Sequence, residues 1–441
     1  MPSRCSGGDE MARFGFVADD LTGAGDVLAQ AHSHGLDAVL AIGDAPLPSD
    51  ADVVGIAGPA RSLSGKDFDH QVRGDLKRIS DLHADVILYK ICSTFDSSPT
   101  LGSIGRGIEL LHEQFPGHGA IPVVPAQPGF GRYTAFSQHF AVSSEQIYRL
   151  DRHPVMATHP STPMTEADLR LVLSHQFSDH QIPDAIHVPA YDDETFDASW
   201  KALRGNSASA AFVLDAVSDA HLDKIAAVLR RDGSGDDPAL VVGSGGIMAA
   251  LAKSTGAETI ADGADRTAGP VLVVSASASS VTARQLDDAR EHGWIDIPAP
   301  AALLHHRDSE LTAALTADVA RALSAGHNVM VHTTLGAGDH RYSATRPVSA
   351  EHVGTVLGEL AATMATRQLT SDIAVFGGDT SSHALKAMNV RYLRVARQFV
   401  TAGPVCRADD DSAVAGCRLL LKGGQVGPVD ILRRFAAPIP A

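Results

Sequence analysis

The segment FGFVADDLTGAGDVLAQ, residues 14–30, ends a short apolar run in two adjacent carboxylates, Asp19 and Asp20, before a glycine-punctuated turn. Like charges side by side raise the cost of ionising each other, so the pair at a strand tip calls for a use. A carboxylate there can accept a proton from an alcohol. Other apolar runs in the same half also end in polar groups: Arg61 and Ser62 in GPARSLS, Lys90 and Ser93 in YKICSTFDSS, Gln127 and Arg132 in PAQPGFGRYT. Carboxylates mixed with guanidinium, ammonium and amide groups suit a small anionic, hydroxyl-bearing molecule, whose carboxylate Arg61 or Arg132 can grip in bidentate fashion. Taken singly, each cation is better explained as solvated or paired with a nearby acid. The convergence of separate loops on one rim is what favours a site.

The second half carries a different set: Ser275, Ser277 and Ser279 in VSASASS, the GGDTSS turn at 377–382, and Gly423 and Gly424 in LKGGQVG. Gly377 and Gly378 end an apolar run. Thr380 or Asp379 is expected to cap a helix starting near Ser381, leaving free N–H groups and a helix dipole aimed at an anion. Phosphate is the natural occupant. A GGDTS segment alone would be an ordinary strand-to-helix turn; its company of two further small-residue turns raises it above that.

Both sets follow runs that read as strands. FGFVA, DAVLAI, DVVGIA, DVILYKI, AIPVVPA, AAFVLD and ALVVG alternate with helical stretches at 24–35, 66–82, 101–115, 165–176 and 218–231, the pattern of βαβ units and a mostly parallel sheet. The segment 254–270 is rich in small and polar residues, and a second series follows: strands at VLVVSAS, HNVMVH, DIAVFGG and CRLLLKGG, helices at 281–292, 309–325 and 350–367. The expectation is an α/β protein of two α/β/α domains with mostly parallel sheets, separated by an interdomain cleft: residues 12–254 holding substrate and 268–436 holding nucleotide. Residues 1–11 read as a loose leader. In such sheets ligands sit beyond the carboxyl ends of the strands, which is where both polar sets fall.

Composition narrows the partners. The chain has 441 residues, with 52 acidic against 36 basic and a net charge of −16, which argues against nucleic acid and for a soluble surface. No segment approaches the roughly 18 apolar residues of a membrane helix, and no signal peptide is evident. Four scattered cysteines without CxxC spacing suggest neither disulfides nor zinc, and a reducing cytoplasm fits. The 21 histidines show no metal-ligand spacing, and no metal ligand is assigned. GxxxxGK[ST] is absent, which excludes a P-loop. GSIGRG at 102–107 is a weak dinucleotide signal, and the GAGD tetrapeptides at Gly23–Asp26 and Gly336–Asp339, similar to a ribokinase-like motif, sit in the wrong contexts.

With these loops assembled, the chain resembles the four-carbon acid sugar kinases, which phosphorylate threonate, erythronate and 3-oxo-tetronate. The resemblance rests on ADDLTGAGD (18–26), THPSTPMTEADLR (158–170), VVSASASSVTARQL (273–286), GGDTSSHALKAM (377–388) and LKGGQVG (421–427), in the family's order over nearly the whole chain. It implies that Asp20, Arg61 and Lys90 handle the acid sugar, that Ser275, Gly377, Gly378, Asp379, Thr380 and Gly424 hold ATP, that Mg²⁺ accompanies the nucleotide, and that the domains close on each other. Where the family commonly reads KxDSTLRGN, this chain reads Lys90-Ile91-Cys92-Ser93-Thr94-Phe95-Asp96-Ser97-Ser98. Cys92 replaces the usual aspartate and Asp96 the usual arginine, a variant similar to kinases of other oxidised acid sugars such as the branched 3-oxo-isoapionate.

Asp20 or Asp19 would orient the terminal hydroxyl and accept its proton. If strand geometry persists through both, one faces the substrate while the other braces the turn. A homodimer is a candidate assembly. The rivals are an NAD(P)-dependent oxidoreductase of a small hydroxy acid and a non-catalytic two-lobed solute-binding protein.

Overall fold

The computed structural model describes residues 13–437 except 144, 160, 193–194, 259–268, 337–338, 340–347, 401–402 and 425, together with the side chain of Asp379. Most of the 254–270 segment and part of the second GAGD therefore lie outside the described residues, as does the leader. Among the described residues no helix is long and apolar enough to cross a membrane.

The apolar runs become strands buried on both faces, as parallel strands covered by helices must be. Across the N-terminal half the order is Ala38–Ala41, Val53–Ala57, Phe14–Ala18, Val86–Lys90, Ala239–Gly243, Ile121–Val124, Ala211–Leu214 and Asp184–Ile186, with parallel pairing throughout. The C-terminal half runs Ile295–Pro298, Val329–His332, Val271–Ser275, Asp372–Phe376 and Arg418–Lys422, again parallel. Helices cover these strands through one apolar stripe: in Gly65–Ser80 the buried Phe68, Val72, Leu76 and Ile79 recur at three- and four-residue spacing.

The sequence reading leaves out what joins the halves. An antiparallel hairpin, Tyr392–Val400 with Gly403–Ala408, pairs with Arg418–Lys422 on one side and with Ala38–Ala41 on the other, so one fifteen-stranded sheet runs through both domains. Its first strand, YLRVARQFV, is half-exposed along most of its length, so it has no apolar run to betray it. Strand direction reverses across the hairpin. The accumulated twist of the sheet, roughly 20–25° per strand, lets the carboxyl ends of both halves open on one cleft.

A second omission is a small antiparallel sheet of Arg132–Ala135, Gln138–Ser143 and Gln146–Arg149. Arg132 thus stands on a strand and not in a loop. The expected helix at 165–176 is shorter, Leu169–Ser174, because Asp168 caps it and accepts from Arg170 N–H.

Candidate active site

Asp19 and Asp20 follow the Phe14–Ala18 strand directly, and Asp20 caps helix Leu21–Ser33 by accepting from Gly23 N–H at 2.6 Å. Both carboxylates meet Arg61, carried on the short turn Ala60–Ser62. One edge of the guanidinium donates to Asp19, Nε at 3.1 Å and Nη2 at 2.7 Å; the other donates to Asp20, Nη1 at 2.8 Å and Nη2 at 2.9 Å. The expectation that the two aspartates face apart is therefore corrected, because one planar fork spans both. Arg61 spends four of the five N–H donors of a guanidinium on these bonds, so it stands in the cleft without being free to grip a ligand carboxylate. Burial pushes the Asp19 carboxyl up, opposed by Arg61 and reinforced by Asp20.

A cavity of about 550 Å³ opens beside this cluster, and it is lined by Asp20 but not by Asp19. Lys90 and Ser93 also line it. The buried Lys90 ammonium donates to Ile91 O at 3.0 Å and lies 4.0 Å from Asp26 Oδ2. Asp26, overlooked in the sequence although it closes the first GAGD, lines the cavity as well. Gln127 does not: its amide Nε2 donates to Asp26 Oδ1 at 3.1 Å and holds that carboxylate in place. The Ser93 loop is pinned by His139, whose Nε2 sits 2.8 Å from Ser93 O and whose Nδ1 faces Thr134 Oγ1 at 2.9 Å. Burial lowers this imidazole to about 4, so it is neutral, and Nε2 must carry the proton because a carbonyl only accepts.

Arg132 contrasts with Arg61. Its Nη1 donates to the carbonyls of Phe130 and Gly131, and the guanidinium lies 4.9 Å from the centre of the Phe130 ring. Its buried Nε has no hydrogen-bond partner among the described residues, where no carboxylate pairs with it either. Burial lowers its pKa. Arg132 lines the cavity as a cation in want of an anion.

The opposite wall comes from the C-terminal half, through Gly378, Gly423 and Gly424. Helix Gly378–Ala387 begins earlier than expected; its cap residue is Gly377, at φ 136°, so positions 379 and 380 fall within its first turn. At that φ an L side chain is strained, and a Cβ would stand 2.6 Å from Thr380 Oγ1. Gly378 differs, since a Cβ there meets nothing within 4 Å and points into open space. At Gly424 a Cβ would crowd Ser279 Cβ at 2.8 Å and Ser277 Oγ at 3.0 Å. Ser279 caps helix Ser280–Glu291. Ser275, Ser277, Gly377 and Thr380 do not themselves line the cavity; they shape the two turns that do. Both loop sets thus face one space in this conformation, ahead of any closure.

Lys422 is the residue the sequence reading passed over, although RLLLK ends in lysine as VILYK does. It is buried, donates to Gly423 O at 2.9 Å and Thr282 Oγ1 at 3.1 Å, and lies 4.3 Å from the Phe376 ring centre. Thr282 in turn donates to Gly424 O at 3.1 Å, so this lysine braces the glycine turn. Burial lowers its ammonium to about 7, against about 10.4 in an unfolded chain. Between those values the unfolded chain holds a proton the folded protein has released, so stability rises with pH. Melting curves should therefore move in favour of wild type over Lys422→Met from pH 7 to 10; a pH-independent difference would contradict the lowering by burial.

The glycines of GSIGRG serve packing. Gly105 and Gly107 lie in helix Ile104–Gln114, where a Cβ would strike Gln176 and Tyr89 at 2.6 Å. Among the described residues no group of three or more His, Cys, Asp or Glu could hold a metal ion.

A family described as a sugar-binding N-terminal domain matches residues 14–251, and one described as a nucleotide-binding C-terminal domain matches residues 272–432. A 3-oxo-isoapionate kinase of Paraburkholderia graminis is 32% identical over 93% of this chain and 91% of its own. A D-threonate kinase of Bordetella bronchiseptica is 30% identical over 96% and 97%, and a 3-oxo-tetronate kinase of Pseudomonas fluorescens 29% over 95% of each. A crystal structure from Salmonella typhimurium LT2, at 24% identity, shares the fold with a TM-score of 0.76 over 96% of this chain and 98% of that one.

Proposed function

This chain belongs to the family that joins a sugar-binding N-terminal domain to a nucleotide-binding C-terminal domain, and on that premise we propose that its cavity passes the terminal phosphoryl group of ATP to a hydroxyl of a small acid sugar. The protein is an acid sugar kinase, as its curated relatives are; neither the oxidoreductase nor the solute-binding alternative is supported. One observation carries the site assignment: Asp20, Lys90 and Arg132, which has no carboxylate partner among the described residues, share a cavity with the bare Gly378 and Gly424 of the other domain.

In this reading Arg132 takes the sugar's carboxylate and Asp20 holds the hydroxyl that reacts. Phosphoryl transfer is chiefly alignment and charge neutralisation. The hydroxyl oxygen attacks the γ-phosphorus, its proton passes to the Asp20 carboxylate, and the bond from the γ-phosphorus to the bridging oxygen breaks to release ADP. Lys90 and the remaining Arg61 N–H face the charge that develops. The first-turn N–H groups of helix Gly378–Ala387, whose cap residue is a glycine with no side chain to bond them, receive phosphate oxygens. Magnesium bound to the triphosphate needs only one or two protein carboxylates, and Asp26, which lines the cavity, would hold it; when bound it would neutralise phosphate charge. Residues of both domains of one chain line the cavity, and a cytoplasmic setting, where ATP is supplied, fits this reading.

ADP release measured with 3-oxo-isoapionate, 3-oxo-tetronate and D-threonate tests the reading, which fails if none of them stimulates it. Arg132→Gln should raise KM for the acid sugar roughly ten- to a hundredfold, the scale of a lost charge-assisted hydrogen bond, with KM for ATP unmoved. Equal loss toward both substrates would remove Arg132 from the sugar site.

A further inference from the structure

We infer that Asp96 reads an uncharged, hydroxyl-bearing arm of the acid sugar and repels any second anionic group at that end of the cavity; the inference rests on the kinase reading. Asp96 lies on the loop after Val86–Lys90, and that loop is fixed at several points. Ile91 N–H donates to Gly243 O at 2.9 Å, Gln176 Nε2 to Ser97 Oγ at 2.9 Å and Ser97 Oγ to Phe95 O at 3.1 Å. Phe95 sits at φ 56° with its ring fully buried. A bulky residue there is strained and persists only where its surroundings over-determine it. The burial of the ring and the bonds around it do so, and the loop delivers Thr94 and Asp96 to the cavity wall.

The partners of Asp96 come from a distant segment. Thr162 Oγ1 donates to Asp96 Oδ1, and His159 Nδ1 lies 3.7 Å from the same oxygen. Nδ1 of His159 accepts from Thr162 N–H at 3.2 Å, which leaves Nε2 as the N–H donor of the ring. Asp96 Oδ2 has no donor among the described residues. Asp96 and His159 both line the cavity, and the pair offers one acceptor and one donor, the complement of a hydroxyl group. Phe130, Val142 and Met156 line the same cavity and strengthen both effects by excluding water. A carboxylate placed there would face Asp96, whereas Arg132 is free to take one. The substrate class that fits is a monocarboxylate sugar with two hydroxyl-bearing arms, one offered to Asp20 and the other to Asp96.

The test is kcat/KM on branched 3-oxo-isoapionate against unbranched 3-oxo-tetronate and D-threonate, for wild type, Asp96→Ala and Asp96→Asn. Wild type should prefer the branched sugar. Asp96→Ala should lose at least about tenfold on it, mainly through KM, while the unbranched sugars change by less than about threefold and KM for ATP stays put. Asp96→Asn keeps the shape and can still accept from Thr162; it should lose part of the preference without a shift in melting temperature. A folded variant that loses activity equally on all three sugars, or on none, overturns the inference and leaves the kinase reading standing. A wild type that phosphorylates none of them overturns both.

Discussion

Asp20→Asn is expected to lower turnover by at least about a hundredfold, the usual scale for a positioned base, with little change in ATP affinity. The substitution isolates chemistry from folding, because asparagine is as good an N-cap as aspartate and still accepts from Gly23 N–H. Its amide removes one negative charge from Arg61, but Asp19 keeps its own two bonds to that guanidinium. Steady-state kinetics with a melting curve would check it. Full activity would remove Asp20 as proton acceptor.

Gly378→Val should weaken ATP binding by at least tenfold. A Cβ at Gly378 meets nothing within 4 Å, so the fold gives the new side chain room, and valine has the higher helix propensity of the two. The branched side chain instead occupies space where phosphates would approach the helix N-terminus. The neighbouring Gly377 makes a poorer test, since its φ of 136° and its contact with Thr380 would damage the turn itself. Calorimetry with ATP decides the matter, and unaltered affinity at Gly378→Val would refute the nucleotide assignment.

Much of the fold was legible because buried parallel strands are apolar along their length: FGFVA and ALVVG are strands over the residues expected. The carboxyl-end rule then led to turns in both halves that the structure brings to one cavity. Illegible were the elements whose strands are half-exposed, the Tyr392–Val400 hairpin above all, and hence the continuous sheet. At the site, residue types were readable but pairings were not. Arg61 and Arg132 look alike in sequence, yet one is locked between aspartates 41 and 42 positions away and the other has no anion among the described residues. The neighbours of Asp96 come from a segment 66 residues on, and no local pattern announces them. Lys422 was within reach, since it ends its strand as Lys90 does.

The account stands on one arrangement, which a crystal of the protein with a non-hydrolysable ATP analogue and an acid sugar would show most directly. The prediction is the γ-phosphate between Gly378 and Asp20, with the sugar's carboxylate on Arg132 and its hydroxyl oxygen about 3–3.5 Å from the phosphorus. A nucleotide bound away from Gly378 and Gly424, or a sugar bound outside the cavity that Asp20 lines, would contradict it.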